Sequence, residues 1–209
     1  AEDYRSSTNM DINKEFSELA LVINCHVSMV LYLFISFYSP NIRLIILCSK
    51  EIDAALIAIE KYKVHSLFAL PYKLNFLMNL DSFKQYNLSS IINISTGGQA
   101  ISFELASRLR LRNELNCKYL TILYGLTETF ILSSKMYDLA KLDEIENYRF
   151  SIGKLNPYVE YKIIDSNTGQ IKSHNEEGEL CLRGNLLFNQ YWKNIEKTKE
   201  AIDSNNWYH

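Results

Sequence analysis

Neither sign of charge dominates this chain: 22 Lys and Arg stand against 24 Asp and Glu, for a formal net charge of −2. That removes the electrostatic reason to expect nucleic acid or an anionic membrane surface as a partner. The four cysteines, Cys25, Cys48, Cys117 and Cys181, are scattered, and none forms a CxxC pair. Structural zinc sites use closely spaced ligand pairs, so the sequence argues for buried free thiols in a reducing compartment instead. Long apolar runs are missing too. The most apolar stretch, Val27 to Phe37, is separated from the next by Pro40-Asn41-Ile42-Arg43, which leaves it too short for a membrane span. No basic-then-apolar leader, internal repeat or low-complexity run is visible. What remains is ordinary globular composition, 47% hydrophobic and 22% charged over 209 residues, and it reads as a soluble chain with one sizeable core or two small ones.

Apolar segments alternate in character along the first two thirds. Leu19-Ala20-Leu21-Val22-Ile23 reads as a buried strand, and Val27–Phe37 as a helix by its length. Arg43–Cys48 is a second strand after the turn at Pro40-Asn41. Ile52–Lys61 places Ile52, Leu56 and Ile59 on one helical face. Val64–Leu70 is another apolar run, Lys73–Leu80 a helix, Ile91–Ser95 a short strand, Ser102–Arg112 an amphipathic helix and Leu120–Leu123 a strand. Strand and helix in alternation predict an α/β layer with a mostly parallel sheet and flanking helices. Past about residue 145 the pattern changes. Tyr158–Asp165 and Gly178–Gly184 alternate with period two around the turn residues Ser166-Asn167-Thr168-Gly169, which predicts a small antiparallel β subdomain. The expected division is 1–145 and 146–209, in the charged stretch Asp138–Tyr148. A short helix is expected over Asn194–Ser204.

Ligands of parallel α/β sheets bind beyond the carboxyl ends of the strands, and two glycine-bearing segments fall there. Thr96-Gly97-Gly98-Gln99-Ala100 follows one strand. Its glycines permit positive φ and close backbone approach, although a plain strand-to-helix turn capped by Ser102 explains them as well. Tyr124-Gly125-Leu126-Thr127-Glu128 follows another. Tyr124 offers a flat ring for stacking on a base, Gly125 leaves room, Thr127 offers a hydroxyl to a phosphate, and Glu128 offers a carboxylate suited to Mg²⁺ beside phosphate oxygens. A strand end with a satisfied Thr and a solvated Glu is the plainer account.

Together these segments resemble the adenylate-forming superfamily of acyl-CoA synthetases, 4-coumarate–CoA ligases and firefly-type luciferases. Gly97-Gly98-Gln99-Ala100-Ile101-Ser102 is similar to the family's G-G-A-P-L-S, and Tyr124 through Glu128 keeps Y-G-x-T-E unchanged. Gly178–Gly184 resembles G-E-L-x-V-R-G. Gln190-Tyr191-Trp192-Lys193-Asn194 through Thr198 resembles G-Y-x-N-x-x-x-T, and Trp207-Tyr208-His209 resembles the W-x-H before T-G-D. The resemblance implies that the backbone of Gly97, Gly98, Gln99 and Ala100 lines adenine, on which Tyr124 stacks beside Gly125. It implies that Thr127 contacts the α-phosphate and that Glu128 holds Mg²⁺, the two being the catalytic pair. His26, on a strand-to-helix turn, is expected at the acyl substrate. A lone histidine beside an apolar helix is more often a core or surface residue, and His65 and His174 are taken as structural or surface residues.

The activity implied is ATP-dependent conversion of a fatty or aromatic carboxylic acid to an acyl-adenylate and then, with coenzyme A, to a thioester. The implied place is cytoplasmic or peroxisomal. A luciferase-like monooxygenase and a catalytically inactive nucleotide- or acyl-binding relative are the alternatives. The chain departs from the pattern at Gln99, Ile101, Gln190 and Arg149–Lys154. No phosphate loop is visible before His26, and the ribose-binding Asp and the lid Lys would follow His209. The resemblance therefore implies the central part of a larger N-terminal domain, inactive by itself.

Overall fold

In the computed structural model, residues 15–22, 26–48, 52–145, 147 and 149–209 are described. Asn24, Cys25, Glu146 and Tyr148 lie outside them. The alternating apolar segments form β1 (Phe16–Leu21), α1 (Val27–Tyr38), β2 (Ile42–Ile45), α2 (Asp53–Tyr62), β3 (Ser66–Ala69), α3 (Pro71–Met78), β4 (Asn93–Gly97), α4 (Phe103–Arg110) and β5 (Tyr119–Leu126). One sheet runs in the order β2-β1-β3-β4-β5-β6, where β6 is Phe130–Asp138. The pairs β1–β2, β1–β3, β3–β4 and β4–β5 are all parallel, as the sequence pattern predicts. β3 is buried at every position and β1 at all but its first, the continuous burial expected of parallel strands covered on both faces.

Local chemistry sets several ends. Pro71 occupies the first turn of α3, where a missing N–H costs nothing, so the helix starts two residues before the expected Lys73. Ser102 caps α4 as expected, its Oγ accepting from Leu105 N at 3.1 Å. β6 is the element the sequence reading lacks. Phe130-Ile131-Leu132-Ser133-Ser134 has no period-two alternation, so a solvent-facing strand pattern is absent. Only residues 127–129 connect β5 to β6, the connection length of a hairpin between antiparallel neighbours.

The chain divides into two compact units, Ala1–Tyr124 with Ser134–Gly153, and Gly125–Ser133 with Lys154–His209. The core of the first is a continuous apolar cluster in which Leu19, Leu56, Ile59, Leu67, Leu74, Ile94, Leu109 and Leu120 are almost fully buried. Each such side chain contributes about 1.5–3 kcal/mol relative to exposure. One polar rung crosses this unit. Asn93, fully buried, donates through Nδ2 to Ser66 Oγ at 3.1 Å and Ser95 Oγ at 2.9 Å, and its Oδ1 accepts from Thr121 Oγ1 at 2.9 Å. Three neighbouring strands are thus joined by side chains as well as by backbone. His65 is structural: its Nδ1 accepts from Ser17 N at 3.1 Å, and its ring stacks on Phe16.

In the second unit β7 (Val159–Ile164) and β8 (Glu179–Gly184) pair antiparallel, from Val159 opposite Gly184 to Ile164 opposite Glu179. α5 (Ile195–Ala201) is shorter than the expected Asn194–Ser204, because Asp203 folds the following residues into a turn by accepting from Asn205 N and Trp207 N. Cysteine burial is uneven: Cys181 is buried, Cys117 half-buried and Cys48 exposed, so the expectation of uniformly buried thiols fails at Cys48. Cys48 follows β2, a strand at the sheet edge. Among the described residues no helix is long and apolar enough to cross a membrane.

Candidate functional site

The glycine segment and Tyr124 meet through strand register. β4 and β5 are parallel neighbours with Gly97 opposite Leu123, so the Gly98-Gln99-Ala100 turn after β4 comes beside Tyr124, which is still within β5 and not in a loop after Leu123 as the sequence pattern predicts. Gly98 has φ of +74°, a conformation that disfavours any residue with a Cβ. Thr96, the last side chain before the glycines, is fully buried, and its Oγ1 has no hydrogen-bond partner among the described residues. Gln99 and Ala100 are exposed, and Tyr124 is half-buried. A flat ring next to a glycine turn suits a heteroaromatic base.

The rest of the motif runs from the last residues of β5 into the β5–β6 connection, in the second unit. Gly125 is sterically obligatory, since a Cβ there would lie 1.8 Å from the carbonyl oxygen of Phe130. Thr129, fully buried, accepts the Leu126 N–H on its Oγ1 at 3.1 Å and closes the turn. Thr127 is exposed, and its hydroxyl makes no hydrogen bond among the described residues. The half-buried Glu128 is held twice: its carbonyl accepts from Phe188 N at 2.7 Å, and its Oε1 accepts from Tyr191 Oη at 2.8 Å. The phenol of Tyr191 is pushed up from its ordinary pKa chiefly by that hydrogen bond, with burial and the Glu128 charge adding to it. Tyr191 therefore remains a donor at neutral pH.

Two motifs that the sequence reading treats separately, Y-G-x-T-E and the Gln190-Tyr191 segment, are joined by this contact. Tyr191 is absent from the site residues that the motifs imply. Its membership in a recognised motif was the available signal, but 63 residues separate it from Glu128. Gln190, where the resemblance has Gly, is exposed in an irregular segment.

His26 is placed apart from these groups. It caps α1, with Nδ1 accepting from Ser28 N at 3.1 Å, which leaves the ring proton on Nε2. It follows β1, and β3 lies between β1 and β4 in the sheet. Near the same strand end Lys73 Nζ donates to Leu21 O at 2.9 Å.

The family described as AMP-binding enzyme matches residues 24–192. Luciferin 4-monooxygenase of Photinus pyralis is 27% identical over 90% of this chain and 33% of its own length. The 4-coumarate-CoA ligase 1 of Narcissus pseudonarcissus is 30% identical over 83% of this chain and 33% of its own. The solved structure of the luciferase-like enzyme from the nonluminescent Zophobas morio mealworm superposes with a TM-score of 0.70 at 25% identity, covering 92% of this chain and 44% of that one. The chain thus spans about a third of the length of the curated relatives it matches. With 169 of 209 residues inside the family match, this chain belongs to the AMP-binding enzymes of the adenylate-forming superfamily.

Proposed function

We propose that the protein containing this chain activates a carboxylic acid with ATP, forming an acyl-adenylate and pyrophosphate, and passes the acyl group to coenzyme A. The observation that carries the reading is the β4–β5 register, which sets the Gly97-Gly98 turn at the end of β4 beside Tyr124 in β5. In this reading the backbone of Gly97, Gly98, Gln99 and Ala100 lines adenine, and Tyr124 stacks on it beside Gly125. Thr127, exposed and without a partner among the described residues, donates to the α-phosphate. Glu128 supports Mg²⁺ through its carboxylate, whose Oε1 is oriented by Tyr191. The chemistry needs charge neutralisation and in-line positioning more than a strong base, and a hydroxyl donor with a metal-binding carboxylate meets that need. His26 lies on the acyl side through Nε2, since Nδ1 is committed to the helix cap.

Similarity to luciferin 4-monooxygenase supports a second reading for the step after adenylation, in which oxygen replaces the thiol. Both readings share the first half-reaction. Carboxylate-dependent pyrophosphate exchange in the full-length protein tests it, with Glu128→Ala and Thr127→Ala each expected to abolish exchange. Undiminished exchange in both variants overturns the assignment. Product analysis with coenzyme A or with oxygen then separates the two second steps.

A further inference from the structure

A cluster outside the proposed nucleotide site has the composition of a metal centre. In the second unit Glu179 and Cys181 lie two residues apart on β8, so their side chains share one face of the strand. His209 is brought to that face by backbone pairing: Tyr208 exchanges hydrogen bonds with Leu182, at 2.8 Å and 3.0 Å, and His209 N donates to Ala201 O at 2.9 Å. Trp207, beside them, is covered by the Lys162 ammonium and the Arg183 guanidinium at 4.4 Å and 4.5 Å from its ring centre. His209 Nδ1 thereby stands 2.9 Å from Glu179 Oε1 and 3.6 Å from Cys181 Sγ. One ligand atom from each of the three residues lies within 4.8 Å of the others.

A second observation concerns the far side of the imidazole. His209 Nε2 is 3.5 Å from Asp203 Oδ2. The other oxygen of Asp203 is fixed by the backbone N–H groups of Asn205 and Trp207 at 2.8 Å and 2.9 Å. A carboxylate on the distal nitrogen is the usual companion of a metal-bound histidine, because it sets the tautomer and raises the basicity of the ligating nitrogen. A solvent-exposed ion pair does not require a buried thiol on the opposite side of the same ring.

We propose that Glu179, Cys181 and His209 bind a divalent cation of zinc-like preference, with Asp203 as the positioning residue and water in the fourth place. Tetrahedral zinc with ordinary bond lengths separates thiolate sulfur from imidazole nitrogen by about 3.5 Å and nitrogen from carboxylate oxygen by about 3.4 Å. The sulfur–nitrogen edge is already at that spacing, and the Glu179 side chain must withdraw by about 0.5 Å. Cys181 is fully buried while His209 is exposed, so the cation enters from the histidine side. Binding releases the thiol proton of Cys181 to solvent. Imidazole coordinates through Nδ1 and keeps one proton on Nε2, donated to Asp203. Thiolate, imidazole and carboxylate together favour Zn²⁺ over Mg²⁺. The sequence gives little warning, because the ligands do not form the close pairs of a zinc finger.

Co²⁺, added to the reduced, metal-free full-length protein, reports the site directly. A near-ultraviolet thiolate-to-cobalt charge-transfer band is expected, bleached by Zn²⁺ and unaffected by saturating Mg²⁺. Cys181→Ser should remove it, while the Cys25→Ser, Cys48→Ser, Cys117→Ser triple variant keeps it. Asp203→Asn, which leaves all three ligands in place, should weaken Co²⁺ binding by about 10–100-fold. No band, or a band surviving in Cys181→Ser, overturns the proposal. Should Cys181→Ser fail to fold, Asp203→Asn decides, and unchanged affinity in that variant rejects the arrangement. The readout requires neither ATP nor turnover, so its failure is distinct from failure of the adenylation reading.

Discussion

The phenol of Tyr191 donates to the carboxylate of Glu128 at 2.8 Å, tying an irregular segment before α5 to the tip of the β5–β6 connection. The contact has two separable effects, one on the carboxylate's orientation and one on the phenol's acidity. Tyr191→Phe removes the donor and leaves the ring packed at a tilt against Phe188. Stability should fall by no more than about 1 kcal/mol, since the pair is only partly buried. In the full-length protein pyrophosphate exchange should persist with an altered Mg²⁺ requirement, whereas Glu128→Ala abolishes it. In the reciprocal variant Glu128→Gln, the raised pKa of Tyr191 should return toward that of an ordinary tyrosine, read by NMR titration of labelled tyrosine.

Gly125→Ala should destabilise the chain by about 1–3 kcal/mol, because the added Cβ meets the Phe130 carbonyl and the hairpin tip must open. For a chain of this size that is about 2–4 °C in Tm per kcal/mol. Thr127→Ala, two residues on and exposed, should stay within about 0.5 kcal/mol of the parent. Calorimetry of both variants separates a fold requirement from a chemical one inside a single motif.

The rung at Asn93 predicts a larger loss. Asn93→Leu strands the hydroxyls of Ser66, Ser95 and Thr121 in the sheet, at a cost of at least about 2 kcal/mol. Adding Thr121→Val should recover part of that loss, since one of the unsatisfied groups goes with it. Urea denaturation of the single and double variants measures the coupling.

His65 predicts a pH dependence. Burial lowers its pKa below 6.5, against a smaller opposing effect of Glu15, and its Nδ1 must stay unprotonated to accept from Ser17 N. The folded chain therefore binds fewer protons at this site than the unfolded one. The contribution is complete above 6.5 and is lost as pH falls from there through the folded value. Urea midpoints at about pH 7.5 and about pH 5.5 should show a stability loss that is smaller in His65→Gln.

Much of the first unit was legible because parallel strands and their helices announce themselves by continuous burial and by the 3.6-residue period. Leu19, Leu56, Leu67 and Leu120 all fall in the core their patterns imply. β6 was not legible, since Phe130–Asp138 mixes exposed and buried positions without alternation. Of the site, the short motifs show in the sequence because each is contiguous. The Glu128–Tyr191 contact and the Glu179–Cys181–His209 cluster depend on tertiary pairing, which leaves no local pattern. The cysteines illustrate the limit: their spacing cannot reveal that the Leu182–Tyr208 bridge brings His209 beside Cys181.

The partition between Tyr124 and Gly125 has a consequence during synthesis. The second unit receives residues 125–133 before the first unit has received 134–153, and each needs a piece made after part of the other. The first unit is complete once residue 153 has been made, while the second still waits for 154–209, so both cores are open together only while residues 125–153 emerge. A chain truncated within residues 134–153 holds neither unit whole and should aggregate, and a protease that nicks the chain there releases no autonomous product.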